Sequence, residues 1–160
     1  MDEKKAAALK AENRVMSFFA GTYGTLMEEV ADKYGKDGKQ LIYDAYHKSV
    51  KASCAPLWKQ LKRLDAEGYA GWLLDDMMEG YDFEYVEKTP KSVRLKLKVC
   101  PLAVQFRKKG FGELAMIFCD VDYDMIKDFN EITGANLVFE RDKTLMEGDD
   151  HCNHHIYVRE

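Results

Sequence analysis

A chain of 160 residues with 46% hydrophobic and 12% aromatic side chains can form one domain and bury roughly 70% of its unfolded surface without disulfides or a structural metal. Its formal charge of -4 comes from acidic and basic residues interleaved throughout, leaving no one-signed patch for a phosphate backbone, so no nucleic-acid partner is expected. No apolar run approaches the ~20 residues of a membrane span, and the charged, alanine-rich start lacks the apolar stretch of a signal peptide. A cytoplasmic protein with no membrane partner and with its four cysteines reduced is the expectation.

The first half reads as helical. Val15, Phe18, Phe19, Leu26, Met27 and Val30 recur at steps of three and four, which predicts a helix over residues 3–34 with a kink or break at Gly21 and Gly24. Gly35 and Gly38 punctuate the chain, and a second helix is expected over 39–52 with Leu41, Ile42, Ala45, Tyr46 and Val50 on its apolar stripe. Pro56 suits the first turn of a third helix, which would carry Leu57, Leu61, Leu64, Trp72, Leu73, Met77 and Met78 toward Gly80, with Gly68 and Gly71 as points of interruption.

From Tyr81 the period changes to two. Tyr81, Phe83 and Tyr85 alternate with polar neighbours, Thr89-Pro90-Lys91-Ser92 supplies a turn, and Val93, Leu95, Leu97 and Val99 face away from Arg94, Lys96 and Lys98. That is the pattern of an antiparallel hairpin with one wet face. A short helix is expected over 102–108, a longer one over 112–130, in one piece or two around the acidic stretch 120–124, and a second hairpin with strands at 136–141 and 154–159. The predicted fold is α+β: a helical half (1–80) packed on a four-stranded, mainly antiparallel sheet of two hairpins in the strand-rich half (81–160), all in one domain.

Chemistry-bearing groups collect in the second half. Cys54, Cys100, Cys119 and Cys152 form no CxxC pair, so a zinc ribbon is excluded. Cys119 lies among apolar neighbours and reads equally as a core thiol. Asp122, three residues on, shares its helix face, or else caps a helix beginning at Tyr123. His154 falls on the apolar face of the last strand with Ile156, joined by Cys152 if the strand reaches back that far. Cys119, Cys152 and His154 converging from helix and strand would make a zinc or iron site. Cys54 and Cys100 read as structural, and His47 as a surface or boundary residue.

The order Cys100-Pro101-Leu102-Ala103, then Phe118-Cys119 with Asp122, then Phe129-Asn130, then Gly148-Asp149 with Cys152 before a closing strand resembles the L-2-amino-thiazoline-4-carboxylic acid hydrolase family over residues 81–157. The resemblance implies a small-molecule substrate: a cyclic amidine opened by water at C2 to an N-carbamoyl amino acid. It implies a site of Cys119 or Cys152 as nucleophile, with Asp122 or His151 moving protons. Arg141 or a nearby lysine would hold the substrate carboxylate, and Asn130 and His154 would stand nearby. A free thiol is mostly protonated at neutral pH, so such a nucleophile needs an activating histidine or metal. The late cysteines are also similar to the small-molecule-binding domain named for four-vinyl reductases, whose architecture is shared with haem-nitric-oxide-binding and vesicle-tethering proteins. That alternative implies a sensor or carrier of a ligand or metal without turnover. The large apolar side chains of residues 3–34 exceed one stripe, which leaves two readings open: a homodimer through this helix, or a helix folded back with both stripes buried.

Overall fold

The structure is a computed structural model that describes residues 3–78 and 80–159. Its elements run α1 (Glu3–Trp58), α2 (Ala66–Ala70) continuing into a π-helical segment (Gly71–Asp76), β1 (Asp82–Lys88), β2 (Ser92–Val99), α3 (Pro101–Lys108), α4 (Met116–Thr133), β3 (Leu137–Glu140) and β4 (Cys152–Val158). The strands form one antiparallel sheet in the order β1-β2-β4-β3, two hairpins joined edge to edge. The α+β architecture read from the sequence is the one observed.

The helical half differs from the expected three helices. Gly21 and Gly24 do not break α1. At Gly24 the Phe111 ring occupies the space a Cβ would take, so the glycine permits a close approach rather than a bend. The non-helical residue is Gly35, with φ 57° and ψ -131°, a conformation glycine reaches without the steric cost of a Cβ. Helical winding resumes beyond it, so residues 39–52 continue α1. Pro56 sits inside the last turn of α1 rather than opening a new helix, and without an N–H to donate it lets the chain leave the helix two residues later. The expected third helix is therefore short and late. Asp65 caps α2 by accepting from the Gly68 N–H at 2.8 Å. The wider π-helical winding then buries three successive side chains, Trp72, Leu73 and Leu74.

The sheet follows its alternation. Val93, Leu95 and Leu97 of β2 are buried, and β4 pairs Cys152 with Leu97, His154 with Leu95 and Ile156 with Val93. β4 thus begins at Cys152, which places Cys152, His154 and Ile156 together on the core face. α2 packs on β2 and β4, α4 packs on β3, and α1 lies across α3 and α4. One apolar core spans both halves, with Trp58, Tyr69, Trp72 and Phe129 in edge-to-face or tilted ring contacts.

A polar seam fixes α1 on α4. Tyr43, His47 and Lys51 recur at four-residue steps and meet Asp124, Asp128 and Glu131. The Tyr43 hydroxyl donates to Asp124. His47 Nε2 lies 2.7 Å from one Asp128 oxygen, and Lys51 Nζ donates to the other at 2.6 Å and to Glu131 at 3.3 Å. Asp128 is buried, so its carboxylate depends on these partners to replace water. Asp128→Asn should therefore lower Tm by roughly 5 °C, as expected for weakening two charge-assisted bonds in a chain of this size. Glu131→Gln, at an exposed position, should change Tm little. Thermal melts of the two variants against the native chain check this.

Candidate functional site

α4 places the chemistry. It begins at Met116 with Ala115 as its N-cap, so Asp122 lies in the second turn and is not a cap. Cys119 and Asp122, one turn apart, face the same way. Arg141, immediately after β3, reaches back to this turn. Its Nη1 donates to the Cys119 carbonyl at 3.0 Å and to Asp122 Oδ2 at 3.5 Å, and its Nη2 donates to Asp120 Oδ1 at 3.2 Å. The guanidinium also stands 5.6 Å from the centre of the Tyr123 ring, whose hydroxyl donates to the Arg141 carbonyl at 3.0 Å. With only 5% of its side chain exposed, Arg141 is a buried cation held by two carboxylates, a carbonyl and an aromatic face.

That setting decides the protonation states. Burial pushes the Asp122 carboxyl up to about 7, Arg141 opposes the rise and Asp120 adds to it. A fifth of the Asp122 side chain, 20%, still meets solvent, so its proton can exchange. The thiols move away from reactivity. Burial raises Cys119, helped by Asp122 and opposed by Arg141. Burial takes Cys100 to about 12 and also raises Cys152. Each of the three thiols feels the charge of Asp122, which places them in one neighbourhood, and all three are protonated at neutral pH. His154 is driven down to about 3 by burial and by Arg141. It is a neutral imidazole edge-on to Phe139, and its buried Nδ1 has no hydrogen-bond partner.

The remaining predicted residues fall elsewhere or have other work. Cys152 Sγ accepts from the Leu145 N–H at 3.2 Å and lies 3.7 Å from Thr144 Oγ1, tying down the β3–β4 connection. Asp149 holds the same loop by accepting from the Thr144 N–H at 2.7 Å. Cys100 Sγ accepts from the Ala103 N–H and caps α3, with Pro101 behind it. Asn130 uses both ends of its amide on the Leu137 backbone, at 2.7 and 2.9 Å, a staple between α4 and β3 about two turns from Asp122. His151 pairs with Asp150 at 2.7 Å in the loop before β4. Among the described residues no group of three or more His, Cys, Asp or Glu side chains is arranged to hold a metal ion. Cys119, Cys152 and His154 form no such group, and the Cys152 sulfur accepts from the loop backbone. His47, expected as a boundary residue, is a partner of Asp128.

Three tyrosines join the site that residue-by-residue reading passed over. Tyr46 of α1 and Tyr69 of α2 both feel the Asp122 charge, and Tyr81 hydrogen-bonds to Cys100; burial raises all three. On the sequence, Tyr46 was one more member of an apolar stripe. Its hydroxyl distinguishes it from that stripe, but only the tertiary packing reveals what the hydroxyl meets.

Protonation linkage tests the site directly. Asp122 is raised from 3.8 to about 7 on folding, so the folded chain holds the extra proton between these values and Asp122 costs stability progressively as pH rises through that window. His154 is lowered from 6.5 to about 3, so the unfolded chain holds the extra proton there and His154 costs stability as pH falls below 6.5. Relative to the native chain, Asp122→Asn should gain stability as pH rises from 4 to 7, and His154→Gln should gain as pH falls from 6.5 to 4. Denaturant midpoints across this range, read as differences from the native chain, give the two opposite slopes.

Comparisons with known proteins bear on this site. A sequence model of the family described as L-2-amino-thiazoline-4-carboxylic acid hydrolase matches residues 15–156. No curated protein matches the chain. Among solved structures, the fold is similar to that of a trafficking protein particle complex subunit 3 from Naegleria fowleri covalently bound to palmitic acid. The identity is 14% and the TM-score 0.54, covering 91% of this chain and 95% of that one. The likeness is one of fold. No helix among the described residues is long and apolar enough to cross a membrane.

Proposed function

The chain belongs to the L-2-amino-thiazoline-4-carboxylic acid hydrolase family, and we propose that it opens a small cyclic amidine of the 2-amino-thiazoline-4-carboxylate type by hydrolysis. The observation that carries this reading is Asp122, a carboxyl pushed up to about 7 beside a buried arginine. An acid of that strength exchanges its proton in both directions near neutral pH, which ring opening requires. In the ionised form Asp122 takes a proton from water as the water oxygen bonds to C2 of the protonated amidine, whose C2=N π electrons move to the ring nitrogen. The C2 hydroxyl then becomes the carbonyl as the C2–S bond breaks: the electron pair leaves on sulfur, the proton held by Asp122 passes to it, and the hydroxyl proton goes to solvent, balancing the one the amidine brought. The product is an N-carbamoyl amino acid bearing a free thiol, and one water is consumed.

Arg141 has two tasks in this scheme. It orients Asp122 and stops its acidity from falling further toward that of a fully neutral carboxyl. It also offers a cation for the substrate carboxylate, which would take the place of Asp120, whose side chain is half exposed. A carboxylate-for-carboxylate exchange leaves the buried guanidinium paired throughout. Neutral His154, with its unpartnered Nδ1, can accept one hydrogen bond from the bound ring or its water. The cysteines line the site as thiols rather than attacking as thiolates, since burial raises each of them.

The second reading is a ligand-binding module without turnover. What favours it is the fold shared with a protein described as covalently bound to palmitic acid, together with the protonated, enclosed thiols. Incubation with 2-amino-thiazoline-4-carboxylate separates the two, because each turnover releases one thiol that a disulfide reagent reports. Turnover should rise and then level with a midpoint near pH 7. Asp122→Asn should lower it by 100-fold or more, and Cys119→Ala should lower it far less. Saturable binding of the same compound without thiol release would favour the module.

A further inference from the structure

Tyr46, Val50, Cys54 and Trp58 follow one another at four-residue steps and so share one face of α1. The two ends of that row meet α4 in chain order. The Tyr46 ring stands edge-on to Phe118 with centroids 4.6 Å apart, and the Trp58 ring edge-on to Phe129 at 5.9 Å. The two helices therefore run side by side in the same direction. Asp122, one turn beyond Phe118 and on its face, falls opposite the stretch between the two contacts. α2 closes the far side, with the Tyr69 ring 4.8 Å from Phe129 and only 2% of the residue exposed.

Other tyrosines of the chain use their hydroxyls. Those of Tyr43, Tyr85 and Tyr157 donate to carboxylates, that of Tyr123 donates to a carbonyl, and Tyr81 hydrogen-bonds to Cys100. Among the described residues the hydroxyls of Tyr46 and Tyr69 have no hydrogen-bond partner. The Nε1–H of the fully buried Trp58 at the end of the row has none either. On Asp122 the hydrogen bond from Arg141 goes to Oδ2, which leaves Oδ1 for a water. Withholding polar groups from solvent without a partner is costly. Several of them around one carboxyl, from three different helices, make a surface shaped for a polar ligand.

Resting on the hydrolysis described above, we propose that the Tyr46 and Tyr69 hydroxyls are the paired donors that hold the oxygen added at C2 of the cyclic amidine. That oxygen enters as a C2 hydroxyl and leaves as the carbamoyl carbonyl. In between it gains negative character as its own proton departs and the C2–S bond opens, and donors already in place stabilise that change without reorganising. Burial raises both phenols, with Asp122 the first charge to add to the rise. Each therefore stays an O–H at neutral pH, donating to the oxygen without competing for the proton that Asp122 moves. A thiol is a weaker donor, so Cys54 and Cys119 serve as lining. The ligand class narrows to rings that carry or acquire an oxygen on the carbon between sulfur and nitrogen.

Tyr46→Phe and Tyr69→Phe each remove one oxygen and keep the ring. Each should lower kcat for 2-amino-thiazoline-4-carboxylate by about 100-fold with KM little changed, and each should melt at or above the native temperature because no protein partner is lost. Calorimetric binding of two ring analogues supplies a readout that a structural role would not move. The native chain should bind 2-oxothiazolidine-4-carboxylate, which carries an oxygen at C2, about tenfold more tightly than thiazolidine-4-carboxylate, which does not. Both variants should lose that preference while binding the second compound as the native chain does. Native kcat in either variant overturns the proposal and leaves the hydrolysis reading intact. So does a fall in kcat that comes with a lower melting temperature or with the preference unchanged, since the hydroxyl then serves the fold. A native chain that releases no thiol removes the hydrolysis reading and this proposal with it.

Discussion

A guanidinium withdrawn from water is among the most expensive groups a protein can bury, and it is tolerated only when every side of it is answered. Arg141 is answered by Asp120, Asp122, the Cys119 carbonyl and the face of Tyr123. All four lie on the first two turns of α4, so burying Arg141 fixes where the end of β3 meets that helix. Burial raises Asp122 and the same charge opposes that rise, while burial first and Arg141 second keep His154 neutral. One buried cation thus sets the docking of helix on sheet and, together with burial, bears on the protonation of both the central carboxyl and the His154 imidazole.

Around this centre the cysteines divide by their surroundings. Cys100 gives its sulfur to the first turn of α3, and Cys152 gives its sulfur to the backbone of the β3–β4 connection. Cys119 alone has its thiol on the face shared with Asp122. Two of the three motifs that look catalytic on paper therefore serve to shape the elements that enclose the third. Gly148 belongs with them: its φ of 107° lets the loop turn against the Arg107 guanidinium, and Asp149 then closes the turn on Thr144.

Much of this was legible in the residues. The alternation from Val93 to Val99 and the return to it at His154–Val158 place the two hairpins and the core face of β2, because period two leaves no other arrangement that keeps Arg94, Lys96 and Lys98 wet; the strand order and register depend on contacts between the hairpins that spacing does not specify. The start of β4 at Cys152, two residues before the strand expected from 154, was left open by the same rule. The helical half was harder. Glycine marks where a chain can bend, but a neighbour decides whether it does: Phe111 turns Gly24 into a packing position, whereas nothing fills the space at Gly35 and the kink falls there. Pro56 was ambiguous between opening a helix and closing one, and spacing alone does not separate the two. In the site, Asp122 and Arg141 could be named from their types and motifs. Tyr46, Tyr69 and Asp128 could not, since their significance lies in what faces them from other elements.

The central claim is that burial beside Arg141 leaves Asp122 as a carboxyl poised near neutrality. Carbon-13 NMR of the aspartate side-chain carboxyls, with the Asp122 resonance assigned by its disappearance in Asp122→Asn, follows that one group through a pH titration. A midpoint near 7, returning toward the ordinary aspartate value when the chain is unfolded, is the result this account predicts. A midpoint at or below 4 in the folded chain would contradict it, because Asp122 would then be a plain ion-pair partner of Arg141 with no proton to exchange.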